Sequence, residues 1–175
     1  GDPVMSARFM GGREYEMVVG DFTVEPSDSE IEEVLNEAIT LLPAVVPDAG
    51  PFMGMQSVWK SPEPNLGSGQ RAAAVGFYLS LVTARCLELI GHEGPIIIEG
   101  PFARNRCFLM MLSVAAGCEV KAMDSATGTS AGAALLASFD EKAKWSLNEP
   151  INIVPTQLFD LLDRYAKQWR SFVIS

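Results

Sequence analysis

The sequence predicts an α/β fold, and three observations carry that reading. Residues 95–99 and 118–123 each read as a short buried strand. Residues 103–116, between them, are apolar at helical spacing and are closed by Gly117. A further helix of small residues is expected over 130–138. Strand, helix, strand, helix in that order implies two parallel strands joined by a crossover helix, hence an α/β layer with additional helices packed on it.

The remaining elements follow along the chain. Residues 7–19 place alternating apolar and polar side chains around Gly11-Gly12, which suits a hairpin or loop. Ser27-Asp-Ser-Glu30 supplies capping residues for a helix. Its apolar face is Ile31, Val34, Leu35, Ala38, Ile39 and Leu42, and it ends before Pro43. Residues 43–69 contain Pro43, Pro47, Pro51, Pro62 and Pro64 among glycines and serines, so a long Pro/Gly-rich loop is expected. Residues 70–90 are apolar nearly all round, the pattern of a central helix, and Gly91 stops it. Pro155 suits the first turn of a last helix whose buried face is Leu158, Leu161, Leu162, Tyr165, Ala166 and Trp169.

Composition narrows the function classes. A chain of 175 residues suffices for one domain over 1–175 that buries roughly two-thirds of its unfolded surface. A hydrophobic share of 48% with 20% charged residues is that of an ordinary globular protein. The formal charge of −9, with no Lys/Arg-rich run, argues against a nucleic-acid partner and against an anionic membrane. Cys86, Cys107 and Cys118 lack the paired spacing of a zinc or redox site and read as buried thiols. No stretch reads as a bilayer span of about 20 apolar residues. Residues 1–12 lack the apolar core of a secretion signal, so a cytoplasmic location is expected.

The candidate site is the run Pro95-Ile-Ile-Ile-Glu-Gly-Pro-Phe-Ala-Arg-Asn105, a strand entering a tight Gly-Pro turn and then a helix. Such a turn presents backbone N–H groups to a phosphate. Gly100 serves either that approach or the β-to-α turn alone. Asn105 is either a base or ribose partner or a helix cap, and Arg104 either stacks on a base or is solvated. A second segment, Ala126-Thr-Gly-Thr-Ser-Ala-Gly-Ala-Ala-Leu-Leu-Ala137, packs glycines and alanines at helical spacing, so Gly128 and Gly132 either line a cleft or serve helix packing. Asp124 reads as a turn or cap residue, His92 as a surface residue, and Glu30, Glu32, Glu33 and Glu37 as a solvated face. Arg8, Arg13, Glu14 and Glu16 either contact substrate or, the preferred reading, hold a domain junction by salt bridges. Glu99 has no evident role.

Ile96-Ile-Ile-Glu-Gly-Pro-Phe-Ala-Arg-Asn105, followed by Gly128-Thr-Ser-Ala-Gly-Ala-Ala-Leu-Leu-Ala137, resembles the C-terminal part of FGGY-family carbohydrate kinases, of the actin, Hsp70 and sugar-kinase ATPase superfamily. The Ala7-Arg-Phe-Met-Gly-Gly-Arg-Glu-Tyr-Glu16 segment and the helix over 72–91 extend the likeness across most of residues 7–140. The resemblance implies part of an RNase H-like domain and ATP with Mg2+ as the cofactor. It also implies a sugar substrate, a ketose such as a pentulose or deoxyhexulose. Gly100, Pro101, Ala103, Arg104 and Asn105 would lie beside adenosine and phosphates, and Gly128 and Gly132 on the helix that connects two hinging domains. Pro101 and Phe102 stand where the family usually has further glycines.

No N-terminal Asp-x-Gly-Thr-type phosphate loop and no match to the motif of the catalytic aspartate is found in this sequence. Phosphoryl transfer needs such groups to orient the attacking hydroxyl and to support the metal. The expected partner is therefore an N-terminal kinase domain, the chain alone is expected to be inactive, and self-association to a homo-oligomer is expected through apolar surface left uncovered. The rival readings are a non-catalytic nucleotide-binding regulator and a structural or assembly domain.

Overall fold

The structure is a computed structural model, and residues 4–123, 151–152 and 158–173 are described. Asp124, Pro155, the helix expected over 130–138, and with it Gly128 and Gly132, lie outside these residues.

Five α-helices are described: α1 (Gly11–Val19), α2 (Asp28–Asn36), α3 (Gly69–Leu89), α4 (Arg106–Ala116) and α5 (Phe159–Val173). The strands are β1 (Leu41–Leu42), β2 (Val58–Trp59), β3 (Ile96–Ile98), β4 (Val120–Ala122) and β5 (Ile151–Asn152). β3 and β4 are parallel, with Ile96 opposite Val120, and α4 forms the crossover between them. The expected strand–helix–strand unit is thus present. β5, which the sequence reading did not include, pairs antiparallel with β4 and makes the sheet mixed. β1 and β2 form a separate antiparallel pair.

α3 is the spine. Residues 71–82 are buried without interruption, as a helix apolar on every side requires. Its 21 residues are long and apolar enough to cross a bilayer, contrary to the expectation that no stretch is, yet most of that length is enclosed by the rest of the protein. Contact with α4 is close because Gly76 has no side chain. A Cβ there would stand 2.9 Å from the Cys107 Cβ and 3.2 Å from the Asn105 Oδ1. The Ser80 hydroxyl lies between the two helices, within hydrogen-bond reach of the carbonyls of Gly76 (2.8 Å) and Phe108 (2.7 Å).

α2 begins where its capping residues predict. The Ser27 hydroxyl accepts from the Glu30 N–H, and the Glu30 carboxylate accepts from the Ser27 N–H at 2.9 Å, a reciprocal capping box. The same carboxylate accepts the Gly69 N–H at 3.1 Å, so one side chain serves the starts of two helices. Glu33 accepts from the Gln70 amide at 2.9 Å, and this part of the acidic cluster is docked on α3 rather than simply solvated. The helix ends at Asn36, earlier than expected. Ala38 takes a positive φ of 51°, the Ile39 N–H returns to the Val34 carbonyl at 3.0 Å, and Leu42 belongs to β1.

Residues 7–19 depart most from expectation, since the second half is helix α1 and not a hairpin or loop. The reason is Glu14. It sits on the buried face beside Val18 and Val19, 2% exposed, and puts a carboxylate where helical periodicity calls for an apolar residue. Its partner is also not the arginine expected: Tyr78 Oη donates to Glu14 Oε2 at 2.5 Å.

Residues 43–68, whose only regular element is β2, are fastened at several points. The Tyr78 hydroxyl accepts the Val45 N–H at 3.3 Å. Buried Arg71 donates to the carbonyls of Val18 (2.6 Å) and Pro64 (2.7 Å) and pairs with Glu63 at 2.7 Å, its guanidinium over the Trp59 ring. α5 closes the other side. Its Tyr165 hydroxyl donates to the Ile39 carbonyl at 2.8 Å and its Trp169 indole to that of Leu41 at 2.9 Å. Leu162, Tyr165, Ala166 and Trp169 are its buried face, as the sequence pattern indicates.

Candidate functional site

After β3 the chain turns at Gly100, whose φ of 81° is strained for any residue with a side chain. Its absent side chain would meet no atom within 4 Å, so the glycine is required by backbone conformation and leaves open space beside it. Residues Pro101–Arg104 form one turn of 3-10 helix, so α4 starts at Arg106 and not at 103. Asn105 is the N-cap of α4, its Oδ1 accepting the Phe108 N–H at 2.9 Å. That bond commits the carboxamide oxygen to the helix and leaves the amide nitrogen as its donor.

A cavity of about 520 Å³ opens at this turn. One wall is Pro101, Phe102, Arg104, Asn105, Arg106 and Cys107, and the other is Gly12, Tyr15 and Glu16 of α1 with residues 23–26. Three of the sequence-derived candidates, Pro101, Arg104 and Asn105, thus meet on one cavity. Ala103 does not reach it and is buried in the core at 8% exposure. Gly100 stands at the turn just outside the lining. The α1 wall was missed because its helix was missed, and Thr23, Val24, Glu25 and Pro26 carry no motif that would reveal them.

The floor is aromatic. Phe102 packs against Phe108 with ring centres 5.1 Å apart and meets the Tyr15 ring edge-on at 6.1 Å. Beside it the Cys107 thiol is pushed up to about 12 by burial, with Arg106 opposing and Glu25 adding to the shift. It is therefore protonated and unreactive at neutral pH. The rim is charged in both senses, Glu16 and Glu25 against Arg104 and Arg106. Arg106 Nη1 reaches across to Asp28 Oδ1 at 2.6 Å. Among the described residues, no three His, Cys, Asp or Glu side chains converge as a metal ion would need.

The mixed sheet, the helices packed on it and the cavity beside a strand-to-helix turn define the class: an α/β domain with a candidate small-molecule cleft. The family profile "Carbohydrate kinase FGGY, C-terminal domain" matches residues 1–146, and the chain belongs to that family. A crystal structure of a carbohydrate kinase from Novosphingobium aromaticivorans matches with a TM-score of 0.77 at 28% sequence identity, over 94% of this chain and 36% of that one. The chain thus spans little more than a third of the length of this solved relative. No curated protein matches it.

Proposed function

We propose that the chain is the nucleotide-binding part of an ATP-dependent carbohydrate kinase, with an RNase H-like core. An N-terminal domain supplies the catalytic carboxylate and most sugar contacts. The sugar is a ketose, and the chain alone is inactive. The observation that carries this reading is the cavity lined on one side by residues between Pro101 and Cys107. Its volume lies within the range of about 300–1,000 Å³ usual for small-molecule sites. An apolar aromatic floor with charged groups confined to the rim suits a nucleoside whose phosphates point outward. Asn105 would present its amide N–H groups to base or ribose. No described set of side chains fits a resident Mg2+, so the ion is assigned to the nucleotide's phosphates.

A second reading, a structural or assembly domain, is favoured by Pro101 and Phe102. Proline offers no N–H to a phosphate, and the Phe102 ring is engaged with Tyr15 and Phe108.

Calorimetric titration with Mg-ATP and with ADP separates the two. Saturable binding that Gly100→Val abolishes and Asn105→Asp weakens supports the nucleotide reading. Asn105→Asp keeps the capping oxygen while removing the amide donor, whereas Asn105→Ala would also uncap α4. No binding favours the structural domain, and sugar-dependent ATP turnover by the chain alone overturns the assignment of catalysis to a missing domain.

A further inference from the structure

We propose that Asp28 and Arg106 form a clasp across the cleft, and that Arg106 is the group by which this domain distinguishes a phosphorylated nucleoside from a bare one. The inference rests on the nucleotide reading above. Arg106 is the first residue of α4 and lines one wall of the cavity, while Asp28 is the first residue of α2, two residues beyond Pro26 of the opposite wall. Their 2.6 Å contact therefore joins the two walls.

Both side chains are accessible to water, 48% and 74% exposed, and a pair of this kind is weak enough to exchange partners. A phosphate is the stronger partner, because its oxygens match the guanidinium fork in a bidentate geometry that a single Nη1 contact to Asp28 does not use. An anionic ligand needs cations at this rim, where Arg106 stands with Arg104. Glu16 and Glu25 stand on the wall opposite the turn, and both repel an incoming phosphate. Asp28 thus holds the guanidinium across the opening and must yield it when a phosphate enters, which makes Asp28 a positioning residue and Arg106 the ligand contact. An uncharged nucleoside offers nothing for that exchange.

The test is calorimetric titration of the wild-type chain, Asp28→Asn and Arg106→Gln with ADP and with adenosine, at low and at physiological salt. Asp28→Asn should tighten ADP about two- to five-fold, the range that an exposed pair is worth, and leave adenosine unchanged. Arg106→Gln should reduce the preference for ADP over adenosine and flatten its salt dependence, and Arg106→Lys should restore part of both. Unfolding midpoints of each variant identify any loss due to misfolding. Equal changes for ADP and adenosine, or an ADP affinity indifferent to both substitutions, overturn the clasp while leaving the nucleotide reading intact. A wild-type chain that binds neither ligand overturns both.

Discussion

The two walls of the cleft are held in place by different forces. The turn and α4 are fixed by close apolar packing: Gly76 lets α4 approach α3, and Cys107, Phe108 and Met111 are buried against it. The α1 wall is fixed by buried polar groups, with Glu14 on the Tyr78 hydroxyl and Arg71 on the Val18 carbonyl. The packed wall depends on shape and should be indifferent to pH. The polar wall depends on the charge state of one carboxyl group. Burial raises the pKa of Glu14 above its ordinary value, although the hydroxyl of Tyr78 and the N–H of Val46 oppose the shift.

Truncating one wall and overfilling the other should give the largest effects. Glu14→Ala leaves the Tyr78 hydroxyl proton without its acceptor inside the core and should cost about 1–3 kcal/mol. Gly76→Ala forces α3 and α4 apart and should cost about 1–3 kcal/mol. Denaturant unfolding measures both, and a neutral Glu14→Ala would mean that the polar wall is held by something other than its carboxylate.

A smaller effect separates the walls by pH. The folded state holds the Glu14 proton more tightly than the unfolded chain. Its contribution is therefore full below the ordinary carboxylate pKa and is lost as pH rises through the raised folded value. Glu30 runs the other way. The Ser27 N–H, the Ser27 hydroxyl and the Gly69 N–H lower its pKa, so its contribution is present above the ordinary value and lost as pH falls through the lowered one. The stability of Glu14→Gln relative to wild type should accordingly rise with pH, and that of Glu30→Gln should fall. Gly76→Ala should show no such slope. Unfolding curves from pH 3 to 8 give all three, and parallel slopes for the two glutamates would contradict the assignment.

The weakest expected effect concerns the outer surface, where Val4, Met5, Met53 and Leu66 are all more than 60% exposed. Light scattering should show concentration-dependent self-association, and a clean monomer at high concentration would contradict the homo-oligomer expected from the sequence.

The same division explains what could be read in the sequence. β3, α4 and β4 were legible because apolar residues occupy every core position and Gly117, in a left-handed conformation, marks the helix end. α1 was not, because a core position is filled by Glu14 and the first turn by two glycines. β5 has two residues and no local signature. In the site, Pro101, Arg104 and Asn105 were found through the turn they share, whereas Tyr15, Glu16 and Glu25 reach the cavity only through tertiary packing. Of the two roles the sequence offers Asn105, helix cap and ligand contact, the structure shows the cap.

α3 has a consequence for the life of the chain before it is folded. Until α4, α5 and the segment around β1 have closed over it, a newly made chain carries 21 residues that lipid or another unfinished copy would accept as readily as the native core does. Anything that delays closure, above all a lesion at Gly76, should therefore reduce the yield of recovered protein by more than its equilibrium stability alone would suggest.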